Sequence, residues 1–490
     1  MSSSNHTLIL KNDGTLWSCG HNNYSQLGLG DTDDRTTFTQ ITTNTDDIKS
    51  VYCGGDHVFI LKKDGTLWGC GFNGYGQLGL ENGTSTTTFT QITINTDNIK
   101  SVYCGREHTI MLKNDGTLWG CGNNSNGQLG LGENTSNQAT FTQIIANTDD
   151  IKSVYCGSFH TFILKNDGTL WGCGRNDHGQ LGLGDNTNRN TFTQITTNID
   201  DVKSVYCGGF HTTILKNDGT LWSCGYNSHG ELGLGDNTDR NVFIRIINDV
   251  KLACCGYDYT FILKNDGTLW GCGRNSQGQL GLGDNINKTT FTKITINTND
   301  VQSIYCGNYH VLILKNDGTL FGCGRNNYGQ LGLGDTKDRK TFTQIIINTD
   351  DIKCLANDYS NIPNIIKIYD TEIGYVETLD TNNFRNISVN NFEKIKVLCT
   401  NPDNTYLNCL ISFDKKQTWK TFNGTTWTTT SDTTPTNIIL NSMQLKTLDK
   451  LDKNKLISGG FTGDLDFKIA MKTNDEKVTS SVTKIYIEYK

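Results

Sequence analysis

The chain has 490 residues, 35% hydrophobic and 19% charged, with 53 glycines, 3 prolines and a net charge of −7. That balance suits a turn-rich β protein better than a helical or disordered one, and the negative charge gives no footprint for nucleic acid. No apolar run approaches the ~20 residues that cross a bilayer as a helix, and Met1-Ser2-Ser3-Ser4-Asn5-His6 lacks the basic and apolar parts of a secretion signal, so a soluble chain without the usual leader is expected.

The first segment, His6-Thr7-Leu8-Ile9-Leu10, reads as a strand, and Asp13-Gly14-Thr15-Leu16 follows it. The aromatic after that phrase recurs as Trp17, Trp68, Trp119, Trp171, Trp222, Trp270 and Phe321, at gaps of 51, 51, 52, 51, 48 and 51 residues. Seven copies at such a period indicate a propeller. Within the fourth copy, residues 151–157, 160–165, 169–174 and 191–195 are rich in β-branched and aromatic residues and bounded by Gly, Asn or Asp, so each copy reads as four short strands. Asn166-Asp167-Gly168 joins the second and third runs as a hairpin turn, which makes neighbouring strands antiparallel. No such blade buries both faces alone, and a closed ring removes exposed edges.

The chain opens at the equivalent of a second strand. After the seventh copy, Asp351-Ile352-Lys353-Cys354-Leu355 matches the opening of a first strand, so this late segment is expected to pair with the N-terminal strands and fasten the ring. All three prolines and only five glycines lie beyond residue 362, which puts a boundary near Asn361. The expected fold is all-β: a seven-bladed propeller of four-stranded antiparallel blades over residues 1–360, followed by a smaller β-rich domain at 364–490.

Gly-x-x-His-Thr, Asp-Gly-Thr-Leu-Trp-x-Cys-Gly and Gly-Gln-Leu-Gly-Leu-Gly-Asp together resemble the repeat of the regulator of chromosome condensation family, over about residues 1–360. The resemblance implies a seven-bladed propeller. Exchange factors for small GTPases, a secreted β-lactamase inhibitor and many binding proteins share that repeat, so fold alone does not name a function.

Histidine stands at one equivalent position in six copies (His6, His57, His108, His160, His211, His310), with Tyr259 in the sixth copy. A residue spread once per blade reads as structural, fixed by hydrogen bonds at a strand start. Six cysteine pairs stand 17 residues apart, Cys53 with Cys70 being the first. Each joins the first and third strands of a blade, which are not neighbours, and no Cys-x-x-Cys occurs; buried thiols in a reducing compartment are expected, with neither disulfides nor zinc. The family pattern often has Ala at the first-strand place and Trp at the third-strand one, so cysteine is a departure here. The glycine-rich loop lacks Gly-Lys-Ser/Thr and a following helix, so its glycines are read as supplying unusual φ values and close strand approach. No nucleophile–base set stands out. Neither a cofactor, a metal nor a catalytic residue is expected.

With alternating strand direction, the turns between strands one and two and between three and four share one face. That face holds most of the variation. Asp56, Glu107, Phe159, Phe210, Asp258 and Tyr309 precede the repeated histidine. His21, Phe72, Asn123, Arg175, Tyr226, Arg274 and Arg325 stand in the next turn, with Tyr24, Tyr75, Asn126, His178, His229, Gln277 and Tyr328 three residues later. Aromatics and arginines on a rigid surface have the composition of a recognition site; the alternative is neutral drift at exposed turns. The candidate ligand-binding set is Phe159, Phe210, Tyr309, Asp56, Tyr24, Tyr75, His178, His229, Tyr328, Arg175, Arg274 and Arg325.

Beyond residue 364, strands are expected at 404–412, 418–427, 465–472 and 482–489, with a short helix near 441–456. Ser412–Trp419 is similar to an Asp-box turn, with Lys416 in place of the usual Gly. LISFDKKQTWKTFNGTTW and LDFKIAMKTNDEKVTSSVTKIYIEY together resemble a module that ends many tail and baseplate-associated proteins of phages and phage-like particles. The reading that follows is a non-enzymatic recognition protein of a phage tail or phage-like particle, assembled in the bacterial cytoplasm and released. Its partners would be a bacterial surface protein or glycan and, through the C-terminal domain, other particle proteins, without nucleic acid or membrane insertion. The alternatives are a cytoplasmic exchange-factor-like propeller or an enzyme inhibitor acting by protein–protein contact. Against them stand the absence of an inserted wedge in gaps of 48–52 residues, and the missing secretion signal.

Overall fold

The computed structural model describes residues 5–145, 148–295, 300–346 and 352–356, and beyond them the strands Phe392–Cys399, Thr405–Ser412, Trp419–Phe422, Trp427–Thr430, Asp466–Thr473 and Val482–Tyr489. The chain divides into two units, residues 1–368 and 369–490. Every regular element among the described residues is a strand.

The first unit is a seven-bladed propeller. Blade 4 shows the pattern: Ile151–Cys156, His160–Lys165, Leu170–Gly174 and Arg189–Gln194 pair antiparallel in sequence order. Each second strand is buried throughout, or all but its last residue, and Leu and Ile of neighbouring blades share hydrophobic clusters. The first strands of successive blades touch one another, so they line the axis of the ring. Closure follows the sequence expectation. Ile352–Ala356 pairs antiparallel with His6–Lys11, with Ile9 opposite Leu355, and completes blade 1. Ile9 and Trp17 also pack with Leu312, Leu331 and Leu355 across the closing seam.

The repeated phrase accounts for its own turns. In blade 4 the Asp167 Oδ1 accepts hydrogen bonds from the Thr169 N–H (2.8 Å) and hydroxyl (2.7 Å), and that hydroxyl accepts the Trp171 indole N–H (2.9 Å). Lys165 Nζ lies 4.7 Å from the Trp171 ring centroid and 2.9 Å from Asp149 Oδ1, which covers the ring with a paired cation. The glycines of the Gly-Leu-Gly loop are required by contact. Gly182 has φ +68°, and a Cβ there would come within 2.5 Å of the Phe243 ring in the next blade.

Histidine clasps the seams. His57 Nε2 lies 2.9 Å from the Thr109 hydroxyl of blade 3, and that hydroxyl donates to the Gln77 carbonyl of blade 2 at 2.8 Å. The donor role of the hydroxyl leaves its oxygen to accept from the imidazole N–H. The same pair of contacts recurs at His108–Thr161–Gln128, His160–Thr212–Gln180, His211–Thr260–Glu231 and, closing the ring, His310–Thr7–Gln330. Blade 7 carries Val311 where the threonine would stand, and there blade 6 replaces histidine with Tyr259, whose hydroxyl lies 2.7 Å from the carbonyls of Gly307 and His310. The third-strand cysteines join the same seams: Cys121 Sγ donates to the Gln77 carbonyl at 3.3 Å. The fourteen cysteines from Cys19 to Cys323 are all buried and none forms a disulfide.

In the second unit, Phe392–Cys399 pairs with Val482–Tyr489, and a four-stranded sheet has the order Trp427–Thr430, Trp419–Phe422, Thr405–Ser412, Asp466–Thr473. Two sequence expectations change here. The single strand expected at 418–427 is two, with Phe422 opposite Trp427, because Asn423-Gly424 is a strong reverse-turn signal inside that run. Phe392–Cys399 was not anticipated. The helix expected near 441–456 lies outside the described residues.

The clasp gives a pH dependence. Burial lowers His57, His108, His160 and His211 to about 3, whereas in the unfolded chain they protonate near 6.5. Their contribution is present above pH 6.5 and lost as pH falls toward 3, at about 1.4 kcal/mol per pH unit for each histidine. Urea unfolding at pH 7, 6 and 5 should show stability falling with a proton uptake of several per molecule, reduced by one in His160→Gln. A flat profile over that range would contradict the clasp.

Candidate functional site

Because each blade alternates direction, the turns that carry the variable residues gather on one face, as the sequence implies. A backbone bond then ties the two variable turns of each blade together. The carbonyl of the residue before the histidine accepts the N–H of the variable residue in the next turn: Arg175 N–Phe159 O is 2.9 Å, Tyr226 N–Phe210 O 2.9 Å, Arg274 N–Asp258 O 2.8 Å and Arg325 N–Tyr309 O 2.8 Å. Main-chain atoms alone make this link, so the two side chains stand next to each other whatever they are.

In blades 4 to 7 those side chains form a continuous crescent of rings and guanidinium groups. Phe159 and Phe210 stack with centroids 5.5 Å apart and planes at 22°. Arg175 lies 4.7 Å from the Phe210 ring, held by Asp177 through Nε (2.8 Å) and Nη2 (2.6 Å). Phe210 meets Tyr257 edge-on at 5.3 Å, and Tyr257 leads to Tyr309 at 5.8 Å. Arg274 and Arg325 lie 5.1 and 5.7 Å from the Tyr309 ring, and Arg325 is 5.4 Å from Tyr328. His178 packs on Tyr226 at 4.7 Å and holds Asp239 at 2.9 Å, while His229 meets Tyr226 edge-on at 6.3 Å. The line continues through His21, 4.5 Å from Tyr328, to Tyr24, Phe72 and Tyr75 in blades 1 and 2.

Eleven of the twelve candidate residues thus stand on this face, partly or fully exposed. Asp56 is the correction. It is 3% exposed, and its carboxylate accepts the Gln26 amide at 3.0 Å beside His21, so it braces the rim from below instead of meeting a ligand.

Two residues that the sequence reading passed over complete the site. The position two before the histidine carries Gly55, Arg106, Ser158, Gly209, Tyr257 and Asn308, and its backbone forms a girdle between blades, with Gly55 N–Arg106 O at 3.1 Å and Gly209 N–Tyr257 O at 3.0 Å. From blade 3, Arg106 reaches across the mouth of the ring to blade 6. Its Nη1 is 3.5 Å from the Tyr257 hydroxyl, and its guanidinium lies 5.7 and 5.9 Å from the Phe159 and Tyr257 rings. Burial pushes the Tyr257 hydroxyl up to about 12, against the pull of Arg106. The signal that finds both residues is the one that found the others: variation inside a constant frame.

Among the described residues, no group of three or more His, Cys, Asp or Glu could hold a metal, and no helix is long and apolar enough to cross a membrane. The described face offers rings, guanidinium groups and a few carboxylates, which is the chemistry of recognition.

Residues 1–251 match the RCC1-like domain, and residues 266–314 and 317–347 match the regulator of chromosome condensation (RCC1) repeat. The chain belongs to the RCC1-like family. It is 32% identical over 349 residues to the ultraviolet-B receptor UVR8 of Arabidopsis thaliana, covering 70% of this chain and 68% of the receptor. It is 31% identical over 244 residues to the human X-linked retinitis pigmentosa GTPase regulator, covering 49% of this chain but 24% of that relative's length. In structure it is similar to yeast RCC1 (Prp20) bound to Kap60, with a TM-score of 0.61, 20% identity, and coverage of 71% of this chain and 86% of that one. That likeness confirms the RCC1-like fold.

The Arg106–Tyr257 contact spans opposite blades, so its energy is measurable by a double-mutant cycle. Arg106→Ala and Tyr257→Ala should show a coupling of about 0.5–2 kcal/mol in denaturant unfolding. Additive effects would show that the two side chains do not meet.

Proposed function

We propose that this RCC1-like propeller is a docking protein that binds a protein partner through the crescent of blades 4 to 7, and that the bound segment is acidic. The observation that carries this reading is Arg325. Its guanidinium rests on Tyr309 and Tyr328, and among the described residues no carboxylate pairs with it. Arg106, Arg175 and Arg274 stand in the same arc, so an incoming carboxylate meets cations held on aromatic faces. The relatives support the protein–protein part: one is named a receptor, another a GTPase regulator, and in the solved structure yeast RCC1 is bound to the protein Kap60. An exchange-factor role is the narrower form of this reading.

A second reading keeps the particle-borne setting, with a bacterial surface protein or glycan on the same face. It rests on residues 410–427 and 465–489 alone. Immunolabelling of purified particles separates the two, since label absent from the tail counts against that setting.

The direct test uses a fluorescent copolymer of Glu and Tyr as the acidic probe. Phe159→Ala, Phe210→Ala and Tyr309→Ala combined, and separately Arg325→Glu, should each weaken binding at least about tenfold, with the fold intact and with binding weakened by salt in the wild type. Equal binding by wild type and variants would refute the site.

A further inference from the structure

Glu231 breaks the most regular polar position of the rim. Gln26, Gln77, Gln128, Gln180, Gln279 and Gln330 occupy it in the other six blades. Each of those glutamines accepts, on its amide oxygen, a backbone N–H from two residues earlier, as at Tyr24 (3.0 Å) and His178 (2.9 Å). The amide nitrogen is left as a donor. Gln26 gives it to Asp56 of the next blade at 3.0 Å.

In blade 5 only half of this pattern survives. Glu231 Oε2 accepts the His229 N–H at 2.8 Å, as the glutamine oxygen does. Its Oε1 takes the place of the amide nitrogen, is buried, and has no hydrogen-bond partner in a residue 1% exposed. The counterpart of Asp56 in the next blade is Asp258, itself 4% exposed. Where the sister slot sets a donor against a carboxylate, this slot sets two carboxyl groups with no donor between them. Two buried carboxylates so placed do not both stay charged. A proton on Oε1 restores the lost donor and makes the side chain the shape and polarity of glutamine.

We propose that Glu231 holds a proton at neutral pH, aimed toward Asp258, and that release of this proton weakens docking of an acidic partner on the crescent. The coupling runs through Arg274. Its Nη1 pairs with Asp258 Oδ2 at 3.2 Å, and its guanidinium lies 5.1 Å from the Tyr309 ring. A second negative charge in the slot draws Arg274 inward and makes the rim more negative, and both effects oppose a carboxylate. The charged and titratable groups around the slot are His229 and Asp239 from blade 5 and Asp258, Arg274 and Cys272 from blade 6. Burial first, and Asp258 among the neighbours, move Glu231 from 4.5 to about 8. The regulatory half rests on the docking reading; the proton does not.

Glu231→Gln installs the residue of six sister blades, so the variant folds. Infrared spectra at pH 7 should show a protonated carboxyl band in the wild type that is absent in Glu231→Gln. The folded chain keeps a proton that the unfolded chain releases, so wild-type stability relative to the variant is full below pH 4.5 and falls as pH rises to about 8. Binding of the Glu–Tyr copolymer should weaken at least about fivefold from pH 7 to 9 in the wild type and stay level in Glu231→Gln. No band difference would overturn the proton. A band difference with parallel binding profiles would overturn the coupling. A band difference with no copolymer binding by either protein at any pH would refute the docking reading, and the regulation with it, while leaving the proton in place.

Discussion

Each typical seam of the ring turns on one threonine hydroxyl that faces two partners in the preceding blade, an imidazole that donates to it and a carbonyl that accepts from it. The net worth of such bonds is about 1 kcal/mol each, but removing one letter strands buried polar groups, which costs more than the bond was worth. That asymmetry is why the phrase recurs so faithfully. Gly157 belongs to the same device, since a Cβ there would come within 2.3 Å of the His160 ring. Two seams depart from this pattern: at the Tyr259–Val311 seam both letters change, and the hydroxyl of tyrosine finds backbone carbonyls in place of the missing threonine, whereas between blades 1 and 2 Val58 replaces the threonine while His6 stays.

Display is separate from construction. The variable residues are joined through their main-chain atoms, so a phenylalanine, aspartate or arginine at those positions leaves the frame unchanged. This freedom lets neighbouring blades assemble a surface that no single repeat contains. Stacked phenylalanines from blades 4 and 5, a tyrosine between two arginines from blades 6 and 7, and an arginine crossing from blade 3 converge on one mouth. Substitutions that reach below the surface are another matter. Glu231 and Asp258 lie in a seam, and there a change of one atom type alters charge instead of decoration.

The blades were legible because their period, their Asp-Gly turns and their alternating runs are local signals repeated seven times. Ring closure was legible for the same reason, since residues 351–355 echo a first strand. The common face of Phe159, Phe210, Tyr309 and the arginines followed from strand direction alone. Asp56 was misread because exposure depends on which neighbour a side chain finds, and Gln26 lies 30 residues away. Arg106 and Tyr257 stand at a position whose variation marks them for display, but their contact joins residues 151 apart, and no local pattern announces that pairing. Glu231 was visible as the one acid among six glutamines, but its meaning needed the seam. In the C-terminal unit a single copy of each signal gave most strands and missed Phe392–Cys399.

The division between frame and display is tested most directly by an alanine scan of residues 5–346 read by resistance to proteolysis. Substitution of the clasp threonines and the clasp histidines is expected to lower stability by about 1–3 kcal/mol at each of the five seams that pair them. At Phe159, Arg175, Phe210, Tyr309 and Arg325 the expected changes lie within about 0.5 kcal/mol. A scan in which the face residues proved as costly as the clasp would contradict that division.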